Sequence, residues 1–400
     1  MLCALLQATA ASAAESAAAL VDRGRYLTLA ADCAGCHTDP KDGRPFAGGR
    51  PVQTPFGVVL AANITPDLET GIGAWTDAQF EAAVRGGHRP DGRRLYPAMP
   101  FPYYTRMSSE EVSAIRGYLG TVLAVDNAVA SNQLPFPFRI RATLRIWDAL
   151  YFDPKPYVPD PASSAAWNRG AYLVQGPGHC GACHTPKSFL GGDKSRRFLQ
   201  GYSLQGWFAP DLTSNDPGGL GRWAAADIVD YLRSGHNRYG AASGMMAEEV
   251  ELASSHMTDE DLTAIATYLK NLPGHTQAHP SVRADDPRMV CGKAIYADLC
   301  SACHAPDGRG VAYLFPNLAE SSSVASREST SLVHVVLHGA DSAATDKEPT
   351  GPAMPSFGWQ LTDEQIAAVA TYVRNSWGHT GSVVRPSDVA KARRVSGGDP

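Results

Sequence analysis

No apolar run in these 400 residues approaches the roughly 18–20 needed to cross a bilayer as a helix, so no ordinary transmembrane segment is expected. Basic residues are not in excess: 35 Lys and Arg face 40 Asp and Glu, a net charge of −5. That excludes the broad positive field of a nucleic-acid binder. A glycine-rich dinucleotide fingerprint is also missing, and "FAGG" and "GPGHCG" are too short to cradle a phosphate. There is no nucleophile–base constellation and no excess of convergent carboxylates, so no substrate site is legible. Runs of alternating β-branched residues long enough for a substantial sheet are absent as well. What remains is a folded chain, 44% hydrophobic and 19% charged, long enough for two to four domains.

The amino terminus, "MLCALLQATAASAAES", pairs a short apolar stretch with small residues of the A-x-A kind. It reads as a truncated secretory signal over residues 1–14, without its positive n-region and cleaved near Ala13 or Ala14. Cys3 would leave with it.

Eight cysteines are few for this length, but six fall in one repeated pentapeptide: "CAGCH" at 33–37, "CGACH" at 180–184 and "CSACH" at 300–304. Chance would supply about 0.005 such units. A zinc ribbon needs paired Cys-x-x-Cys units about 15–20 residues apart; these lie 147 and 120 apart, and each carries a histidine. A thioredoxin-like switch would need one pair beside a βαβ pattern. Only covalent haem attachment uses all five positions. The thiols Cys33 and Cys36, Cys180 and Cys183, and Cys300 and Cys303 add to porphyrin vinyl groups, and His37, His184 and His304 offer imidazole to iron. Three c-type haems are therefore expected. Their attachment outside the bacterial cytoplasm agrees with the export signal. Cys291 is left as a buried free thiol.

Whole segments repeat with the anchors. Each is followed by a helical stretch ending in glycine, "VRGGH", "LRSGH" and "VLHGA", and then by a capped helix from Ser108, Thr258 or Thr362. Glu111 and Gln365 complete capping boxes, Asp261 is a shorter version, and Tyr118, Tyr268 and Tyr372 recur ten residues after the cap. The fold class expected is all-α: three tandem class I cytochrome c domains at 22–125, 164–273 and 287–379. Gly24, Gly170 and Gly292 precede the anchors, either where helices cross closely or simply as helix-start glycines. A linker with an amphipathic helix fills 126–163, a shorter linker 274–286, and a mobile polar tail 380–400.

The second axial position decides between an electron carrier and a reactive iron. Methionine between the loop glycine and the terminal helix is the expected ligand: Met99 in "YPAMPF", Met354 in "GPAMPSF", and Met246 in "SGMMAEEV", with Met245 its competitor. His37 to Met99 and His184 to Met246 are both 62 residues. Met107 and Met257 are read as core residues, and His88 and His236 as capping or surface histidines.

The order of anchors, with "FAGGRPVQTPFGVVLAANITPDLETGIGAW", "GPGHCGACHTPK", "FAPDLTSNDPGGLGRW" and "GMMAEEVELASSHMTDEDL", resembles the trihaem cytochrome c subunits of bacterial membrane-associated dehydrogenases over about 22–379. The resemblance implies a non-catalytic relay from a quinoprotein, flavoprotein or molybdoprotein dehydrogenase subunit to ubiquinone or a terminal oxidase. It places that relay in the periplasm at the outer face of the cytoplasmic membrane. Relatives often end in a hydrophobic anchor, whereas this chain ends in polar residues, so peripheral contact is expected by another route or through the partner, and "FRIRATLRIWDALYF" is a candidate. There Ile140, Leu144, Trp147 and Tyr151 share a helical face beside Arg139, Arg141 and Arg145, suited to an anionic membrane surface or a partner groove, but packing of that helix on its own protein is the favoured reading. A free-standing multihaem carrier, or a haem enzyme with one open iron, would be the alternatives.

Overall fold

The computed structural model describes residues 16–275 and 281–396; the expected signal segment and Cys3 lie outside them. The fold is largely helical, and it also holds three two-stranded antiparallel sheets that the all-α expectation left out. Pro51–Thr54 pairs with Gly57–Leu60, Gln200–Leu204 with Trp207–Asp211, and Ala340–Asp341 with Ala353–Met354. Strands this short carry no alternation to read. The second hairpin is held by its turn, where Gln205 and Gly206 take φ of 47° and 80°. A two-residue turn with positive φ at both positions matches the twist of the flanking strands.

One helix pairing occurs three times. The leading helices Ala17–Ala30, Ala165–Gln175 and Pro287–Ile295 pack on the terminal helices Ser109–Leu119, Asp259–Lys270 and Asp363–Val373. Each crossing centres on a glycine. A Cβ on Gly24, Gly170 or Gly292 would run into the backbone carbonyl of Ala114, Ala264 or Ala368, with Tyr118, Tyr268 or Tyr372 alongside. The glycines thus allow backbone-to-backbone approach that no side chain permits. Ser108 and Thr362 make reciprocal capping boxes with Glu111 and Gln365, while Thr258 accepts from Asp261 N without a return bond.

Asp261 is occupied across the boundary between the first and second repeats, where Tyr26 donates to it at 2.5 Å and Arg169 grips it with two bonds of 2.7 Å. The reciprocal contact exists: Tyr172 donates to Glu111 at 2.6 Å. Tyr26 and Tyr172 each stand two residues after the crossing glycine, and Glu111 and Asp261 are each the third residue of a terminal helix. The two repeats therefore meet through equivalent surfaces, as in a twofold dimer. The third repeat has Ala294 and Gln365 at those positions and cannot form this latch. It docks on the second instead through Ala343 N to Ala242 O (3.0 Å), His236 Nε2 to Ala343 O (2.9 Å) and the Trp207–His334 ring contact at 4.3 Å.

One segment differs from expectation and a second follows the favoured reading. Most of the polar tail is docked: Pro386–Ser396 is helical, Val384 and Val389 are buried with Val333, Leu337 and Ile366, and Arg393 bonds Asp363 at 2.9 Å. The amphipathic linker helix is Leu144–Tyr151, and three of the four apolar residues assigned to one face point inward, whereas Ile140 lies before the helix and is exposed. Leu144 is buried, Trp147 donates to Leu190 O at 3.0 Å, and Tyr151 lies against Gly192. Inward packing wins because these rings cover the glycine-rich loop 190–192.

Gly170→Ala should cost about 1–3 kcal/mol by overpacking, lowering the denaturation midpoint, while an unchanged midpoint would contradict the close crossing. Burial alone would raise the Asp261 carboxyl, but the bonds from Arg169 and Tyr26 outweigh it and hold it below the usual value. The latch therefore stabilises fully above the ordinary aspartate value of about 3.9 and is lost as pH falls through the lower folded value. Asp261→Asn should remove that acid-side component, and Tyr26→Phe should cost about 1 kcal/mol. A midpoint–pH profile identical to wild type for Asp261→Asn would contradict the latch.

Candidate haem sites

Each Cys-x-x-Cys-His unit ends in a single helical turn that follows a leading helix: Cys33–His37, Gly181–His184 after residues 176–180, and Ser301–His304 after a π-helical turn at Tyr296–Cys300. The residue before the first cysteine turns the chain sharply in two copies, with positive φ at Asp32 (45°) and His179 (35°). Asp32 then caps the turn it starts, accepting from Gly35 N at 3.2 Å.

The histidines share one arrangement. His37 Nδ1 bonds Ala62 O at 2.6 Å, His184 Nδ1 bonds Pro210 O at 2.7 Å, and His304 Nδ1 bonds Pro316 O at 3.0 Å. A carbonyl only accepts, so Nδ1 carries the proton and Nε2 keeps its lone pair for a metal. Burial lowers the proton affinity of all three rings, with the carbonyl acting in the opposite sense, which keeps them neutral. Each carbonyl precedes a buried amide or acid: Asn63, Asp211 and Asn317. Their side chains accept from Thr65 N (2.9 Å), Thr213 N (2.7 Å) and Glu320 N (3.1 Å), fixing the loop that aims the carbonyl. Sequence reasoning missed this column, though "ANIT", "PDLT" and "PNLA" would have revealed it had the repeats been aligned there.

The methionines come from three different local structures. Met99 lies in the turn before Phe101–Tyr104 and packs, with Cys33, against the first core cluster. Met246 stands beside Met245 in the first turn of Met245–Leu252, and Met354 is on the last two-residue strand. One continuous cavity of about 1270 Å³ touches Cys36, Cys180, Cys183, His184, Met245, Met246, Cys300, Cys303, His304 and Met354. That exceeds the roughly 300–1,000 Å³ of a single small-molecule pocket. Met107 is fully buried core, and Met257 packs against the second core cluster while also facing the cavity. His88 is exposed and His236 is buried on Ala343 O, so the two differ despite their shared column.

The thiols are unpaired, and burial is the main reason the cysteines are hard to ionise: Cys33, Cys36 and Cys180 are pushed up to about 12 and Cys300 to about 11. Thiol–disulfide catalysis needs the opposite shift. Among the described residues, no three His, Cys, Asp or Glu side chains gather as a metal cluster, which disfavours zinc. Cys291, expected buried, is exposed on the outer side of its helix. The cavity wall also holds Trp223, whose buried Nε1–H has no partner. An unpaired donor in an apolar wall suits an acidic group of a cofactor that enters there.

A family model for cytochrome c matches residues 168–273 and 290–377. The gluconate 2-dehydrogenase cytochrome c subunit of Pantoea cypripedii is 40% identical over 398 residues, covering 94% of this chain and 90% of that protein. The chain belongs to the family of dehydrogenase cytochrome c subunits. The fructose dehydrogenase cytochrome subunit of Gluconobacter japonicus is 37% identical, with 94% and 83% covered. The quinone-dependent alcohol dehydrogenase cytochrome c subunit of Gluconobacter oxydans is 36% identical, with 96% and 84% covered. This cytochrome c subunit binds haem c and transfers electrons, and it is not itself the catalyst. No helix among its described residues is long and apolar enough to cross a membrane. The thiol pairs, the Nε2-exposing histidines and the orphaned Trp223 donor all fit haem c.

Proposed function

We propose that the protein holds three haem c groups and relays electrons from a catalytic dehydrogenase subunit to ubiquinone or a terminal oxidase, in the periplasm at the cytoplasmic membrane. The observation that carries this reading is the histidine Nδ1–carbonyl bond made three times. Cys33 and Cys36, Cys180 and Cys183, and Cys300 and Cys303 are the covalent anchors. His37 with Met99, His184 with Met246, and His304 with Met354 are the axial pairs, and Met245 is the competitor at the second site. The haems supply one-electron chemistry. The chain's own residues hold them apart from water, set the imidazole tautomer and fill the second axial position, so that no reactant reaches iron. Methionine opposite histidine favours the ferrous state and a comparatively high potential. The domains carrying the sites are 22–125, 164–273 and 287–379. A partner acting on an alcohol, sugar or sugar acid is supported by the names of the relatives, and an aldehyde donor rests on the resemblance alone.

The mass of the exported chain should exceed that of the polypeptide by three haems; two or fewer would overturn the reading. Met99→His should lower one potential and remove one sulfur–iron charge-transfer band in the near infrared. Met246→Ala should do the same at the second site, and loss of that band in Met245→Ala instead would move the ligand by one residue.

A further inference from the structure

The described surface carries an apolar patch at the rim of the cavity, and its residues Phe136, Leu150 and Phe189 lie outside the cavity lining. Phe189 is 95% exposed, Phe136 71%, Ile146 64% and Leu150 59%, values usual for charged side chains and rare for these. They are neighbours through their supports. Helix Leu144–Tyr151 is pinned by Trp147 on Leu190 O and by Ser188 Oγ donating to the Tyr151 hydroxyl at 3.0 Å, and Phe138 packs on Phe56 at 4.9 Å beside Gly191. With Leu144, Trp147 and Tyr151 turned inward, Ile146 and Leu150, one turn apart, face outward.

The patch is basic in an acidic protein. Segments 134–150 and 187–197 hold seven Arg or Lys against Asp148 and Asp193, whereas the whole chain is −5. Both acids are already paired, Asp148 with Arg94 and Asp193 with Lys187, each at 2.5 Å. Arg139, Arg145, Lys194 and Arg196 are exposed around the apolar residues. The cavity also reaches this face, since Phe138, Ile146, Trp147 and Leu190 line it together with Cys36 and Cys183.

Resting on the electron-transfer reading, we infer that this face, centred on Ile146 and Leu150 and rimmed by Arg139, Arg145, Lys194 and Arg196, is where the protein lies on an anionic lipid bilayer. Exposed aliphatic and aromatic side chains enter the headgroup boundary while arginine and lysine meet lipid phosphate. The bilayer is favoured over a protein partner by charge and exposure together: exposed arginine and lysine ring aliphatic and aromatic side chains, the pattern that anionic headgroups above acyl chains complement.

The test is co-sedimentation of the haem-loaded full chain with vesicles of phosphatidylcholine, alone or mixed with phosphatidylglycerol. Binding should require phosphatidylglycerol and weaken in high salt. Arg139→Ser with Arg145→Ser should weaken it about tenfold to thirtyfold, at about 1 kcal/mol per charge. Ile146→Ser with Leu150→Ser should also weaken it, and Leu123→Ser, exposed elsewhere, should not. Wild-type binding that needs no anionic lipid, or that survives both double variants, overturns the inference. So does loss of binding to the catalytic subunit in these variants while vesicle binding persists. Haem content and reducibility, read on the same samples, report separately on the electron-transfer reading.

Discussion

Everything in this cytochrome c subunit depends on a single polar contact, the bond from an anchor histidine's Nδ1 to a backbone carbonyl. A histidine held only by its covalent neighbours could rotate or change tautomer. The carbonyls of Ala62, Pro210 and Pro316 remove both freedoms. They are themselves fixed by the side chains of Asn63, Asp211 and Asn317, buried polar groups that would be costly without these bonds. The hairpins and loops after each anchor serve to deliver that carbonyl. The glycine crossings set the leading helix, and with it the anchor turn, against the terminal helix.

Above this shared plan, the three repeats are arranged as two plus one. The first and second meet through reciprocal tyrosine–carboxylate bonds and the Arg50–Glu248 pair, and Tyr104 of the first meets His179, next to the second anchor, at 5.8 Å between ring centroids. Cys36 and Cys183 border the same cavity. The third repeat lacks the residues for this contact and joins through Ala343 and the tilted Trp207–His334 ring contact. A repeated helix pairing has thus been packed in two ways, and single residues such as Tyr26 against Ala294 decide which.

Much of the helical plan was legible because it rests on local chemistry: caps at Ser108 and Thr362, crossing glycines, and pentapeptides too improbable to be accidental. The unread parts depend on partners distant in sequence. The hairpins are too short to show a period. The helix Pro386–Ser396 looks polar because only Val389 and its neighbours turn into the core. The linker helix has two apolar faces, and only the loop 190–192 decides which one is covered. The histidine carbonyls could not be read residue by residue, since any residue supplies a carbonyl and only the repeated Asn/Asp column marks the place.

The most direct measurement is quantitative low-temperature EPR of the oxidised haem-loaded protein, before and after cyanide. Irons gripped on both sides by histidine and methionine give three low-spin signals per chain that cyanide leaves unchanged. A native high-spin signal that converts on adding cyanide would show an iron open to reactants and contradict the account.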